Sequence, residues 1–182
     1  MRRASLCLSL LFLSLFLTAM PAFADLNGAT VTVNYLYPEQ NDIYEVLGMG
    51  TVTSGGFTVN SFGQHDFTVY PDEITLTNVS GEDIQFTTAD FNGYGLVVDS
   101  GGTPITGVTI AYNDIAGFDA SRITFDGTDV WLNLEGLTTT PGLDLQLDLQ
   151  FASGTTPEPS SITLFGLGVL SLAGVARRKL RL

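Results

Sequence analysis

The chain has 182 residues, with 19 Asp and Glu against 7 Lys and Arg, one histidine and one cysteine, for a formal net charge of −12. Six of the seven basic residues lie in the first three or last six positions, so residues 25–156 carry 18 acids and one base, Arg122, a net charge of −17. Such a surface repels nucleic acid and anionic lipid, because it has no basic patch to neutralise phosphate; it suits a secreted protein that stays soluble or binds divalent cations.

Arg2 and Arg3 open the chain ahead of an almost wholly apolar run over residues 4–20. Pro21 breaks that run, and Ala22 and Ala24 place small residues at the two positions a signal peptidase reads. Residues 1–24 are therefore expected to be a secretory signal peptide, cut after Ala24. Cys7, the only cysteine, falls inside it. The domain that follows can form no disulfide, thiol nucleophile or thiolate metal site, and its stability must come from a packed core.

From there the chain reads as strand after strand. Residues 29–37 alternate on a period of two and end at Pro38. Residues 44–47 and 50–53 lead to a turn at Ser54, Gly55 and Gly56, and residues 57–60 and 66–70 follow, the latter ending at Pro71. Residues 73–78 stop at Ser80 and Gly81, residues 83–87 form a short run, and residues 94–99 stop at Ser100, Gly101 and Gly102. After residues 107–112, residues 122–125 and 130–134 flank a hairpin turn built on Asp126 and Gly127. Residues 143–151 carry Leu or Phe at every odd position and only Asp or Gln at the even ones, so one face packs on a core and the other faces water.

No window of this region shows helical periodicity. Residues 25–153 are expected to form one all-β domain, an antiparallel, jelly-roll-like β-sandwich of about ten short strands. A barrel spanning the outer membrane would also alternate, but it needs strands of about nine to eleven residues, longer than most of these. Tyr35, Tyr37, Phe57, Phe67, Phe86, Phe125 and Phe151 are expected in the core.

The search for chemistry is mostly negative. His65 is the one histidine, which excludes a His-rich metal site and leaves a triad little to build on; it is expected in a loop or at the surface. No GxSxG elbow is present. A glycosidase needs two acids across a cleft, one of them in an apolar pocket, whereas here nearly every acid falls in a turn or on the polar face of a strand. No catalytic residue and no required cofactor are assigned. Asn113, Asp114 and Asp119 share one loop, and Asp126 and Asp129 the next turn; these hard oxygen donors could hold Ca²⁺, although neither loop matches an EF-hand. As ordinary turn residues the same acids need no metal. Trp131 alternates with core-facing Val130, Leu132 and Leu134, so it points outward with Asn133 and Glu135 or inward to a second layer; exposed, it could stack on a sugar ring, or it packs against a neighbouring loop.

The final stretch has three parts. Pro157 and Pro159 flank Glu158 and hold the backbone extended, preventing a helix from running back through the motif. Residues 160–176 follow, 17 positions without a charge, at the short end of what crosses the hydrocarbon core as a helix. Gly166, Gly168 and Gly174 are tolerated there because a helix in a bilayer satisfies its own backbone groups. Arg177, Arg178, Lys179 and Arg181 form a stop-transfer cluster that fixes the C-terminus on the cytoplasmic side.

This tail resembles the PEP-CTERM sorting signal of Gram-negative bacteria that secrete exopolysaccharide. The resemblance covers about 27 residues, 156–182, and implies that exosortase, a membrane protease-transpeptidase, recognises Pro157, Glu158 and Pro159. Residues 154–182 are thus expected to be a sorting tail that anchors the protein in the inner membrane until exosortase processes it. The domain would then reach the cell surface or extracellular matrix. The resemblance further implies a structural or adhesive role in exopolysaccharide or biofilm, without enzymatic activity. The alternative is a carbohydrate-binding or carbohydrate-cleaving module centred on an acid pair or on Trp131.

Overall fold

Valine, leucine, isoleucine and aromatic residues at alternate positions give strands such as Glu73–Asn78 and Asp129–Asn133 one face for a core and one toward water. The strands run in the order β1 (Thr30–Leu36), β2 (Ile43–Thr51), β3 (Phe57–Ser61), β4 (His65–Val69), β5 (Glu73–Asn78), β6 (Ile84–Gln85), β7 (Gly93–Ser100), β8 (Ile105–Asn113), β9 (Ile123–Phe125), β10 (Asp129–Asn133), β11 (Thr138–Thr139) and β12 (Gly142–Phe151). The computed structural model describes residues 24–152, in which a single 3-10 turn, Ala120–Arg122, stands between strands. Of the expected signal peptide only Ala24 is among them. Ala22, the Pro-Glu-Pro motif, residues 160–176 with their expected transmembrane helix, and the basic cluster lie outside the described residues. Among the described residues no helix is long and apolar enough to cross a membrane.

Two five-stranded antiparallel sheets carry the fold, ordered β2-β1-β7-β10-β9 and β3-β4-β5-β12-β8, with a two-stranded β11-β6 ribbon beside them. They share one core. Val31, Val33, Tyr94, Leu96, Val130 and Leu132 of the first sheet pack with Phe67, Val69, Ile74, Leu76, Leu145 and Leu147 of the second. The sandwich expected from the alternation is present as two facing sheets. Its order, however, is built from the β1–β2 and β9–β10 hairpins and the β3-β4-β5 meander, with crossovers between sheets, in place of the expected jelly-roll-like winding.

Several side chains depart from the strict alternation. Phe67 and Phe86 are buried and Phe57 and Phe151 pack at the core edge, but Phe125 is exposed, because β9 is a three-residue strand at a sheet edge. Tyr35 packs against the core while Tyr37 is only half-buried beyond the end of β1. In β12 the pairing with β5 shifts between Leu143 and Leu145. That bulge turns Leu143 outward and buries Asp144, the reverse of the expected pattern.

Candidate functional site

At one end of the sandwich both sheets terminate in aromatic residues. Tyr35 closes the core face of β1, Tyr37 follows that strand, and Tyr44 begins the return along β2. Phe62 comes from the tip of the β3–β4 hairpin in the other sheet. The rings meet edge to face: Tyr35 lies 5.4 Å from Phe62 and 6.0 Å from Tyr44, and Tyr44 lies 6.3 Å from both Tyr37 and Phe62. Each such contact sets the positive edge of one ring on the negative face of another and contributes about 0.5–1.5 kcal/mol beyond burial.

Together with Gln64, Thr87 and Asn92 these rings line an open groove of about 330 Å³. Asn92 braces its floor: it is buried, its Oδ1 accepts the Tyr35 hydroxyl, and its Nδ2 donates to the Thr87 carbonyl at 2.7 Å. Burial, followed by the neighbouring Tyr37 and Tyr44, pushes the Tyr35 phenol above its ordinary range and keeps it protonated as that donor. Above the floor, Tyr44 is 64% and Phe62 50% exposed, and no side chain lining the groove is charged. Large aromatics exposed side by side mark contact surfaces more often than isolated ones do.

Phe62 holds a left-handed backbone, φ +54°, followed by Gly63 at +73°. A tight hairpin turn of this kind needs positive φ at both central residues, and Asn-Gly is its usual pair. A phenylalanine there costs roughly 1–2 kcal/mol. The turn is held by Gln64 N donating to Ser61 O at 2.9 Å and Gly63 N donating to Asn60 Oδ1 at 2.7 Å. Strain of this kind persists where the surroundings over-determine it, and it clusters at binding sites. Sequence reasoning missed the groove because Tyr35 and Tyr37 read as core and Phe62 falls between the runs 57–60 and 66–70. The available signal was Phe62 standing ahead of Gly63 where a small polar residue is the rule.

His65 is not in a loop. It begins β4, is 1% exposed, and hydrogen-bonds Thr139 Oγ1 through Nε2 at 2.7 Å. Asn78 Nδ2 reaches the same Thr139 hydroxyl at 3.4 Å, and Asp144 accepts Asn78 N at 2.9 Å and Thr140 N at 3.1 Å. Burial lowers His65 to about 4 and keeps its ring neutral. Burial likewise raises Asp144 to about 6, against the pull of its two backbone donors. These side chains tie β4, β5, β11 and β12 together, and all are closed off from solvent.

Two of the four acids considered for calcium, Asp119 and Asp126, accept hydrogen bonds within their own turns. Asp119 caps the 3-10 turn by accepting Ser121 N at 2.8 Å, which with the Ser121 hydroxyl holds its carboxyl below the ordinary range. Asp126 Oδ1 accepts Thr128 N and Asp129 N, each at 2.8 Å, and these bonds lower its pKa. Burial raises that of Asp129, which shares the turn. Asp114 lies in the loop before Asp119, with its backbone N–H on Asp144 O at 2.8 Å. Among the described residues no three His, Cys, Asp or Glu are grouped so as to hold a metal ion.

Trp131 is half-buried on the outer face of its sheet, paired with Gly95. A Cβ at Gly95 would stand 2.9 Å from Leu36 Cδ1 and 3.3 Å from Trp131 Cδ1, so both side chains close over the bare glycine. The indole therefore packs along the sheet over Gly95 and is not among the groove-lining residues. No curated protein and no solved structure matches the chain significantly. Residues 155–179 match the family model described as the PEP-CTERM protein-sorting motif, so the chain carries that signal at its C-terminal end.

Proposed function

We propose that this is a non-enzymatic exported protein whose acidic β-sandwich acts at the cell surface or in the extracellular matrix, in a structural or adhesive role within exopolysaccharide or biofilm. The observation that carries the reading is the sorting motif at residues 155–179. The motif implies export, passage through a membrane-anchored stage and processing by exosortase. Signal peptidase would act at Ala24, residues 160–176 would form the anchor, and Arg177, Arg178, Lys179 and Arg181 would hold its end in the cytoplasm. The net charge of −17 over residues 25–156 supports life in an aqueous, cation-containing compartment without nucleic acid.

The site supports binding over turnover. Its most exposed groups are aromatic rings and uncharged polar groups. The buried acid, Asp144, is fully engaged with backbone donors. Asp126 and Asp119 likewise stabilise their own turns, which disfavours a cleaving acid pair.

Intact mass and fractionation of the native protein, beside a variant with Pro157, Glu158 and Pro159 all replaced by Ala, test the sorting. The wild type is expected outside the membrane without the tail, and the variant in the membrane at full length. If both remain full-length in the inner membrane, the tail is a plain anchor and the surface role falls.

A further inference from the structure

We propose that the groove between β1, β2 and the β3–β4 hairpin binds an uncharged polysaccharide, stacking sugar rings on Tyr44 and Phe62. The proposal deepens the adhesive reading and rests on it only for the compartment in which such a polymer is met. The groove itself supplies the chemistry.

Charge narrows the ligand first. Tyr35, Tyr37, Tyr44, Phe62, Gln64, Thr87 and Asn92 include no Asp, Glu, Lys, Arg or His. The surrounding domain has 18 acids and one Arg. An anionic polymer would be repelled by that field, and a cationic one would be drawn to the acids elsewhere on the surface. A neutral ligand is the one that this surface favours at an acid-free groove.

The ring arrangement narrows it further. Edge-to-face packing pins Tyr44 against Tyr35, Tyr37 and Phe62, so little rotamer freedom remains to be lost on binding. Pyranose rings present a face of C–H bonds with slight positive charge, which matches the negative face of an aromatic ring. Ligand sites generally combine apolar walls with a few placed polar groups. Here the hydroxyls of Tyr37 and Tyr44 and the Gln64 amide have no hydrogen-bond partner among the described residues, while Tyr35 and Asn92 are bonded to each other as the floor. Hydroxyls and an amide over aromatic walls suit a polyol better than a lipid or an apolar peptide. An open groove also lets a polymer enter along its length, whereas a closed pocket would admit only a chain end.

The strained turn fits the same purpose. Asn at position 62 would meet the left-handed backbone at lower cost and would present no ring to the groove. The chain instead places there an aromatic ring that is half exposed.

The test is affinity electrophoresis of the native protein purified from cells. The gels contain glucan, galactan, mannan or xylan, with alginate as the anionic control. At least one neutral polymer is expected to retard the wild type, and alginate is not. Tyr44→Ala and Phe62→Asn should each weaken binding roughly two- to tenfold, the loss of one stacking contact. Trp131→Ala, on the outer face of the sheet, should bind as the wild type does. Thermal melts of all variants confirm that each is folded. Because Phe62→Asn relieves strain, it tests binding even if Tyr44→Ala folds poorly.

The proposal is overturned if no neutral polymer retards the wild type, if alginate binds as tightly, or if Trp131→Ala loses binding while the groove variants keep it. It is also overturned if size-exclusion chromatography shows a dimer that Tyr44→Ala dissociates, since the groove would then be covered by a second copy. Correct tail processing without polysaccharide binding removes this inference alone. Binding without tail processing removes only the sorting role.

Discussion

His65 and Asp144 shift in opposite directions inside one buried group, and the consequence for stability can be measured. Burial lowers His65 from 6.5 to about 4, so the folded state prefers the neutral ring. That preference contributes stability above pH 6.5, which is lost as pH falls toward 4. Burial raises Asp144 from 3.8 to about 6, so its ionisation weakens the fold above pH 6, and the penalty fades as pH falls toward 3.8. The two effects oppose each other across nearly the same window. His65→Gln can retain the bond to Thr139 Oγ1 while removing the titration. Comparing the variant with the wild type cancels every other titrating group. The destabilisation by His65→Gln, measured by urea unfolding, should be largest above pH 6.5. It should shrink as pH falls to 4, by at most about 1.4 kcal/mol per pH unit. A difference that stays constant with pH would mean that the ring does not titrate differently on folding. At Phe62 strain and stacking offset each other, because relief of roughly 1–2 kcal/mol of left-handed strain opposes the loss of ring contacts. Phe62→Asn should therefore change stability by no more than about 1 kcal/mol in the same urea series. A larger loss would mean that the ring is chiefly a structural support.

The strands show how far local pattern reaches. From Leu145 to Leu149, β12 buries its odd positions as its alternation requires. One step earlier the pattern inverts, because the bulge opposite β5 rotates Asp144 inward, and a bulge depends on the partner strand's register. Turn chemistry was likewise legible: Asp126 accepts the N–H groups of Thr128 and Asp129, which closes the β9–β10 hairpin where Asp-Gly signalled it. The pairings of β1 with β7 and of β5 with β12 join strands far apart in sequence and left no local trace. For the same reason the groove was illegible, since it needs the β3–β4 hairpin beside the end of β1. Two substitutions check the reading of these elements. Asp144→Ala leaves the buried Asn78 N without its acceptor, at about 1–3 kcal/mol, and removes the acceptor of the more exposed Thr140 N, whereas Leu143→Ala, on the outward side of the bulge, should cost far less. Gly93→Ala should be worse still. A Cβ there would stand 1.9 Å from the backbone oxygen of Leu132, so β7 and β10 would have to part. Expression of a folded Gly93→Ala protein with an unchanged urea midpoint would contradict that pairing.

For the whole molecule the dominant quantity is charge. Eighteen acids against one Arg over residues 25–156 repel one another in the compact state, and screening should relieve that repulsion. The Debye length shortens from about 30 Å at 0.01 M salt to about 8 Å at 0.15 M. The thermal midpoint should therefore rise over that range, and a gain of about 1 kcal/mol would appear as roughly 2–8 °C. The same experiment separates screening from a specific metal site. Asp119 and Asp126 hydrogen-bond within their own turns, and Asp114 and Asp129 are not grouped with them as a metal-holding set among the described residues. A divalent cation would then act only as a more effective screening ion. With 0.15 M salt already present, 1 mM Ca²⁺ and 1 mM Mg²⁺ should raise the midpoint equally and by little. A rise with Ca²⁺ alone that is reversed by chelator would mean that the loops of Asp114, Asp119, Asp126 and Asp129 rearrange around the ion. Calcium would then be part of the folded protein, and its stability would follow the calcium supply. An equal response to both ions leaves the acids as a screened, solvated surface with no structural demand for calcium.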